Sequence, residues 1–284
     1  MTASGTDRPD ARAAAAGARH RQVAEDLREE TRSLQEVLDG VGPQEWSTPT
    51  PAAGWTVQDQ VNHLAYFDEA TVLAVTDPER FRREAGELSA PGDDFPDRLV
   101  RGQRDLAPEQ TAAWFARARA ALLDVATEAS PGLRLPWYGP DMSITSAVTA
   151  RLMETWAHGQ DVADALGVPR VPTDRLRHIA HLGVATRAFG FRLRGLAAPE
   201  EDVAVELTAP SGDVWRWGDP AAGQRVAGTA LDFCLVVTQR RHLSDTTLSV
   251  TGDVAVRWMS LAQAFAGVPG PGREPLTSTR EDTG

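Results

Sequence analysis

Four stretches within the first 168 residues repeat their apolar side chains at the three-to-four-residue interval of an α-helix, and each is closed by glycine or proline. Stripes of this kind must be buried, and the simplest way is against one another, so this part of the chain is expected to fold as an antiparallel four-helix bundle.

The first helix is expected over about 23–38, with Val23, Leu27, Leu34, Val37 and Leu38 on one side; Gly40, Gly42 and Pro43 end it. Thr56 opens the second, with Asp59 three residues on at the reciprocal position of a capping box, and Leu64, Phe67, Val72 and Leu73 form its apolar side as far as Asp77-Pro78. The third, about Pro108 to Glu128, carries Trp114, Phe115, Leu122, Leu123 and Val125. The fourth runs from near Ser143 to Leu166 and stops at Gly167 and Pro169. Proline and glycine punctuate 78–108, which reads as short helical pieces, and Met1 to His20 lacks apolar periodicity, so 1–22 reads as a disordered leader.

Beyond Val171 the texture changes. A helix over about 173–196 precedes strand-like Val203 to Thr208 and Val214 to Trp217. A helix from Thr229 to Arg241, a strand around Thr247 to Val250 and a last helix from Val254 to Ala266 follow. The fold class is therefore α+β: a bundle over 23–170, a small C-terminal α+β domain over 171–268, and a flexible tail over 269–284.

Composition excludes several functions. A net charge of −11 gives no basic footprint for nucleic acid and disfavours an anionic membrane surface. No apolar run approaches the ~20 residues of a membrane span, and the N-terminus has no hydrophobic signal core, so a cytoplasmic protein is expected. Cys234 is the single cysteine, which rules out an intrachain disulfide or a cysteine zinc cluster, and its apolar neighbours make it a buried, inert thiol. All 29 basic residues are arginine, a bias of the kind a GC-rich genome such as an actinomycete's imposes. The expected partner is a small molecule, with the protein a monomer or homodimer.

Glu154 and His158 lie four residues apart in a helical pattern, so one helix face carries both, one turn apart. His63 sits inside the second helix and completes a three-ligand set if that helix neighbours the fourth. Two nitrogens and one oxygen suit Zn²⁺, with Ni, Fe or Cu as alternatives, and leave positions open for water or substrate. Spacing alone leaves other readings open: a Glu–His pair at this interval arises by chance, and a lone mid-helix histidine is commonly a hydrogen-bonded core residue. Asp59 serves equally as a cap or a partner of His63, and Asp161 as an orienter of His158 or a solvated acid. His178 and His181 have no third ligand nearby and read as surface.

Two segments carry a resemblance. Gly54-Trp55-Thr56-Val57-Gln58-Asp59-Gln60-Val61-Asn62-His63-Leu64 resembles the signature of the mycothiol-dependent maleylpyruvate isomerase N-terminal domain, a branch of the DinB-like metalloproteins. Met153-Glu154-Thr155-Trp156-Ala157-His158-Gly159-Gln160-Asp161 resembles that family's second metal motif, with glutamate where many DinB-like proteins have a third histidine. The likeness covers about residues 23–168 well and the C-terminal half more loosely. It implies His63, Glu154 and His158 as ligands of a divalent metal that binds mycothiol as thiolate, for isomerisation or S-transfer on a small electrophilic, carboxylate-bearing substrate. It further implies a C-terminal-domain arginine as partner of the substrate carboxylate, and the active site opening between the two domains. Arg240 and Arg241 at the close of a helix and Arg257 on the last helix are the candidates, with Arg241 the one chosen. Tyr138, just before the metal-bearing helix, is the second candidate catalytic residue. Two alternatives remain: a thiol-independent Lewis-acid cyclase, isomerase or hydrolase, and a non-enzymatic metal- or ligand-binding module.

Overall fold

A computed structural model describes residues 7–89 and 95–276. The chain forms two compact units, Met1–Val168 and Pro169–Gly284.

In the first unit, α1 (Asp7–Leu38), α2 (Val57–Thr76), α5 (Pro108–Glu128) and α6 (Ile144–Leu166) are the long helices. Two shorter ones, α3 (Pro78–Ser89) and α4 (Phe95–Arg101), lie between α2 and α5, and a minimal hairpin of β1 (Arg134–Leu135) and β2 (Met142–Ser143) leads into α6. α2 packs on both α5 and α6, while α1 packs on α6 and α5. The core between them includes Leu34, Val61, Leu64, Phe115 and Val162. Burying a side chain of this size stabilises the fold by roughly 1.5–3 kcal/mol.

The helix ends follow their sequence signals. Thr56 caps α2 in a reciprocal box with Asp59: its hydroxyl accepts from the Asp59 N–H at 3.3 Å, and its own N–H donates to Asp59 Oδ2 at 2.9 Å. Ser143 caps α6, and Gly167 ends it in the left-handed conformation at φ 66°, where glycine carries no Cβ penalty.

Two expectations for this unit need correction. The first helix begins at Asp7 and not at Val23, so most of the expected leader is helical. Ala13 to Ala16 favour a helix intrinsically, and the segment is pinned by His20, 2% exposed, whose Nε2 lies 2.7 Å from the Ala126 carbonyl and Nδ1 3.0 Å from Thr145 Oγ1. Residues 1–6 of that leader lie outside the described residues. Within 78–108, α3 is a twelve-residue helix, longer than the pieces expected. Phe81 anchors it in the interior, and Arg80 pairs with Glu84 at 2.6 Å one turn on.

The second unit is built on a four-stranded sheet in the order β4–β3–β5–β6. β3 (Val203–Thr208) pairs antiparallel with β4 (Val214–Trp217) and parallel with β5 (Gln224–Thr229), and β5 pairs antiparallel with β6 (Ser249–Thr251). The single helix expected over 173–196 is two, α7 (Leu176–Ala185) and α8 (Arg187–Leu193), broken at Thr186. α9 (Ala230–Val237) and α10 (Asp253–Leu261) are shorter than their apolar patterns implied, and β5 is a strand that the sequence did not signal. α7 packs on α9 so closely that a Cβ on Gly183 would come within 2.8 Å of Val237, which explains a glycine there. Residues 269–276 of the expected tail form neither helix nor strand, and 277–284 lie outside the described residues. Among the described residues, no helix is long and apolar enough to cross a membrane.

Candidate metal centre

α2 supplies His63 and α6 supplies Glu154 and His158, and packing of the two helices brings all three together. One ligand atom from each lies within 4.8 Å of the others, close to the span that bonds of about 2 Å to a single ion require. Glu154 Oε2 is the hub, 3.0 Å from His158 Nε2 and 3.7 Å from His63 Nε2. Among the described residues, this is the cluster of histidine, cysteine and carboxylate groups that could hold an ion.

The electrostatics of these groups suit a cation. Burial and the neighbouring His158 push His63 down to about 3, so its imidazole is neutral at physiological pH. Burial would raise the Glu154 carboxyl, yet its hydrogen bonds with His158 and His63 prevail and hold it well below the usual carboxylate range. His158 Nδ1 faces the side-chain carbonyl oxygen of Gln60, an atom that only accepts, so Nδ1 carries a hydrogen and Nε2 is the nitrogen that a neutral ring would offer as a ligand. At 3.0 Å, His158 Nε2 and Glu154 Oε2 share a hydrogen bond when Nε2 carries a proton, and a metal ion would take that proton's place. The buried His63 Nδ1 has no hydrogen-bond partner, so Nε2, beside Glu154, makes the polar contact of that ring.

An aromatic wall surrounds the three ligands. The Trp55 ring stacks on His158 at 5.8 Å between centroids and 15° between planes, and Phe67 lies 4.6 Å from His63. Phe67 in turn meets Phe95, Trp137 and Tyr138, giving a low-dielectric rim that strengthens electrostatic interactions inside it.

Beneath the site, Asp68 on α2 is fully buried between two arginines. Arg119 of α5 donates to it at 2.7 and 3.3 Å, and Arg151 of α6 at 3.0 Å. Arg119 also donates to Thr155 at 3.0 Å, the residue after Glu154. This network ties α2, α5 and α6 to one register. Asp59 proves to be both cap and anchor: Arg104 grips its two oxygens at 3.0 and 2.7 Å. Asp161 is fully buried, while the Nδ1 of His158 is taken by Gln60.

Tyr138 is half-buried, its hydroxyl 3.4 Å from that of Tyr66, and burial pushes its ionisation well above the ordinary phenol value. Phe67 packs on both this ring and a ligand, 5.7 Å from Tyr138 and 4.6 Å from His63. Tyr66 and Tyr138 line a cleft of about 380 Å³ along α2, α3 and α5, where none of the three ligands is found. Arg241 belongs to the second unit, half-buried just beyond α9, where its guanidinium donates to the Arg240 carbonyl at 2.8 Å.

Sequence reasoning missed Gln60, Phe67 as a neighbour of His63, and the Arg119–Asp68–Arg151 network. Gln60 had one available signal: a polar residue one turn before His63, on a helix flanked by Val57, Val61 and Leu64.

A family model described as the mycothiol maleylpyruvate isomerase N-terminal domain matches residues 27–163. Two uncharacterised proteins, one in each of two strains of Mycobacterium tuberculosis, are each 45% identical over 248 residues, which is 87% of this chain and 96% of theirs. The fold is similar to the crystal structure of the mycothiol-dependent maleylpyruvate isomerase, with a TM-score of 0.54 at 16% identity over 88% of this chain and 96% of that one. A histidine-to-alanine mutant of that enzyme gives a TM-score of 0.55 at 18% identity over the same shares.

Proposed function

Because the chain belongs to the mycothiol maleylpyruvate isomerase N-terminal domain family, we propose that it is a metal-dependent enzyme that activates a thiol, mycothiol in the first instance, for isomerisation or S-transfer on a small electrophilic, carboxylate-bearing substrate. The observation that carries this reading is the convergence of His63, Glu154 and His158, whose nitrogen and carboxylate oxygen atoms lie within 4.8 Å of one another.

The donor set fits a divalent ion of the Zn²⁺ class, because two imidazole nitrogens and one carboxylate oxygen leave coordination positions for an outside ligand. Bound there, such an ion supplies the positive charge that keeps a thiol ionised at neutral pH. The chain's own groups do the rest. His63 stays neutral and Glu154 stays ionised, so neither needs to lose a proton before binding. Trp55 and Phe67 cover the two histidine rings, and the Asp68 network keeps α2 and α6 in register. Addition of the thiolate sulfur to a conjugated double bond makes that bond single; rotation and expulsion of the same thiolate return the isomer with no atom gained or lost. Protonation of the adduct carbon instead retains the sulfur and gives S-transfer.

Metal analysis of the purified protein tests the first half, with about one equivalent of divalent metal per chain expected. His158→Ala is expected to lose it while remaining folded by circular dichroism. Absence of metal, together with unchanged properties in Glu154→Ala, overturns the metal reading. Titration with mycothiol tests the second half: turnover that needs metal but no thiol overturns the thiol and leaves the metal.

A further inference from the structure

We propose that Gln60 and Thr50 are positioning residues, a relay that fixes His158 in the tautomer whose Nε2 is free to bind a cation. This rests on the metal reading for its purpose, but not for its geometry.

The relay begins in the loop before α2. Residues 48–57 close on themselves: Thr50 N–H donates to the Trp55 carbonyl at 2.8 Å, Val57 N–H donates to the Thr48 carbonyl at 3.0 Å, and Pro49 and Thr56 form a bridge. The Thr50 hydroxyl lies 2.9 Å from the Trp55 carbonyl, which can only accept, so the single hydroxyl hydrogen points there. Its lone pairs are left for Gln60, whose Nε2 donates to Thr50 Oγ1 at 2.8 Å. With the amide nitrogen committed to Thr50, the amide oxygen must face the other way, and it meets His158 Nδ1. The hydrogen bonds therefore all run in one direction, from His158 to Gln60 to Thr50 to the Trp55 carbonyl.

Direction matters more than contact. A reversed amide would offer N–H to His158 Nδ1 and force the imidazole hydrogen onto Nε2, where it would point at Glu154 and block the donor atom. A backbone carbonyl at the far end of the relay thus decides which nitrogen is available at the near end. Hydrogen bonds aligned in series also polarise one another, which raises the basicity of the free nitrogen. Gln60 is fully buried, so it has no exchange with solvent to weaken its choice. The residue that supplies the terminal carbonyl, Trp55, also stacks its ring on His158 and limits rotation of the imidazole. His63 has no comparable partner at Nδ1, so the two histidines are not equivalent: one is anchored at both nitrogens, the other at Nε2 beside Glu154.

The test reads the ring directly. Nitrogen-15 NMR of metal-free protein at pH 8 is expected to show His158 protonated at Nδ1, with Gln60→Met converting it to a mixture or to the Nε2-protonated form. Competition with a chromophoric chelator, using Zn²⁺ as probe, is expected to show a loss of affinity of about 10- to 100-fold in Gln60→Met. Gln60→Glu keeps an acceptor for Nδ1–H and is expected to hold the Nδ1 tautomer and recover the affinity. A wild-type His158 protonated at Nε2, or a Gln60→Met variant with unchanged tautomer and affinity, overturns the proposal. An equal loss in Gln60→Glu and Gln60→Met also overturns it, because packing alone would then explain both. If Gln60→Met does not fold, Thr50→Val at a half-buried position decides: a tautomer mixture supports the relay, and an unchanged Nδ1–H signal sinks it. Should wild-type protein bind no Zn²⁺, the metal reading fails while the tautomer still tests the relay.

Discussion

The two units bury different chemistry. Among the described residues, the interior of the first holds His20, Glu30, Asp59, Gln60, Asp68, Arg119, Arg151 and His158, whereas Thr238 and Gln263 are the polar side chains buried in the second. The second unit fills its centre with Phe191, Val226, Phe233, Cys234 and Trp258. A buried ion pair returns little net stability after desolvation, and well-packed apolar residues commonly do as well or better. The polar interior of the bundle is therefore better understood as a positioning device. It fixes α2 against α6, the two helices whose register decides whether three ligands meet. The apolar interior of the second unit has no such task and follows ordinary packing.

The largest expected effect that tests this contrast is at Asp68. Asp68→Ala removes the carboxylate that the buried Arg119 and Arg151 share, and should cost about 3–5 kcal/mol. Hydrogen exchange should place the loss in amides of α2, α5 and α6, with β3 and β5 unchanged; an equal loss in both units would break the contrast. The next effect comes from the ligand. A divalent metal at about 100 times its dissociation constant should add about 2.7 kcal/mol to the opening free energy of the first unit. Amides of the second unit should show no gain, and a uniform rise would contradict the separation.

The smallest effect belongs to the apolar side. Cys234→Ala should cost on the order of 1 kcal/mol, the ordinary price of a core change. Burial pushes the Cys234 thiol up from its usual value of about 9, so it stays protonated in the fold and ionises when unfolded. The thiol's contribution to stability is thus expected to be level below pH 9 and to fall above it, and Cys234→Ala should flatten the alkaline part of the slope in denaturant titrations. Alkylation of the native thiol at pH 8 should be negligible until the protein unfolds. Rapid native alkylation would show that this interior is not closed.

Legibility in the sequence differed between elements for physical reasons. α5 and α6 were readable to within a residue because apolar periodicity agrees with Pro108 at the start of α5, and with Ser143 and Gly167 at the two ends of α6. β3 and β4 were equally plain from their β-branched and aromatic residues. β5 was not, since Gln224–Thr229 buries only Val226 deeply and gains its partners from distant β3 and β6. The start of α1 was missed because alanine carries no amphipathic stripe, and its anchor, His20, bonds to residues more than a hundred positions away. The ligand triad was visible through motif and spacing. Gln60 and the Arg119–Asp68–Arg151 network were not, because each is defined by partners on other helices.

The ligands also divide unevenly along the chain. Glu154 and His158 share one turn of α6, while His63 precedes them by about ninety residues. One residue inserted between Glu154 and His158 would swing the imidazole by about 100° around the helix and take it out of the set. In the interval that joins α2 to α5, doubling the connection would cost only about 0.6 kcal/mol in closure entropy. Growth of the chain is therefore nearly free in one interval and ruinous in the other. The same three side chains admit a whole extra helix between α2 and α5, and no extra residue between two of their own members.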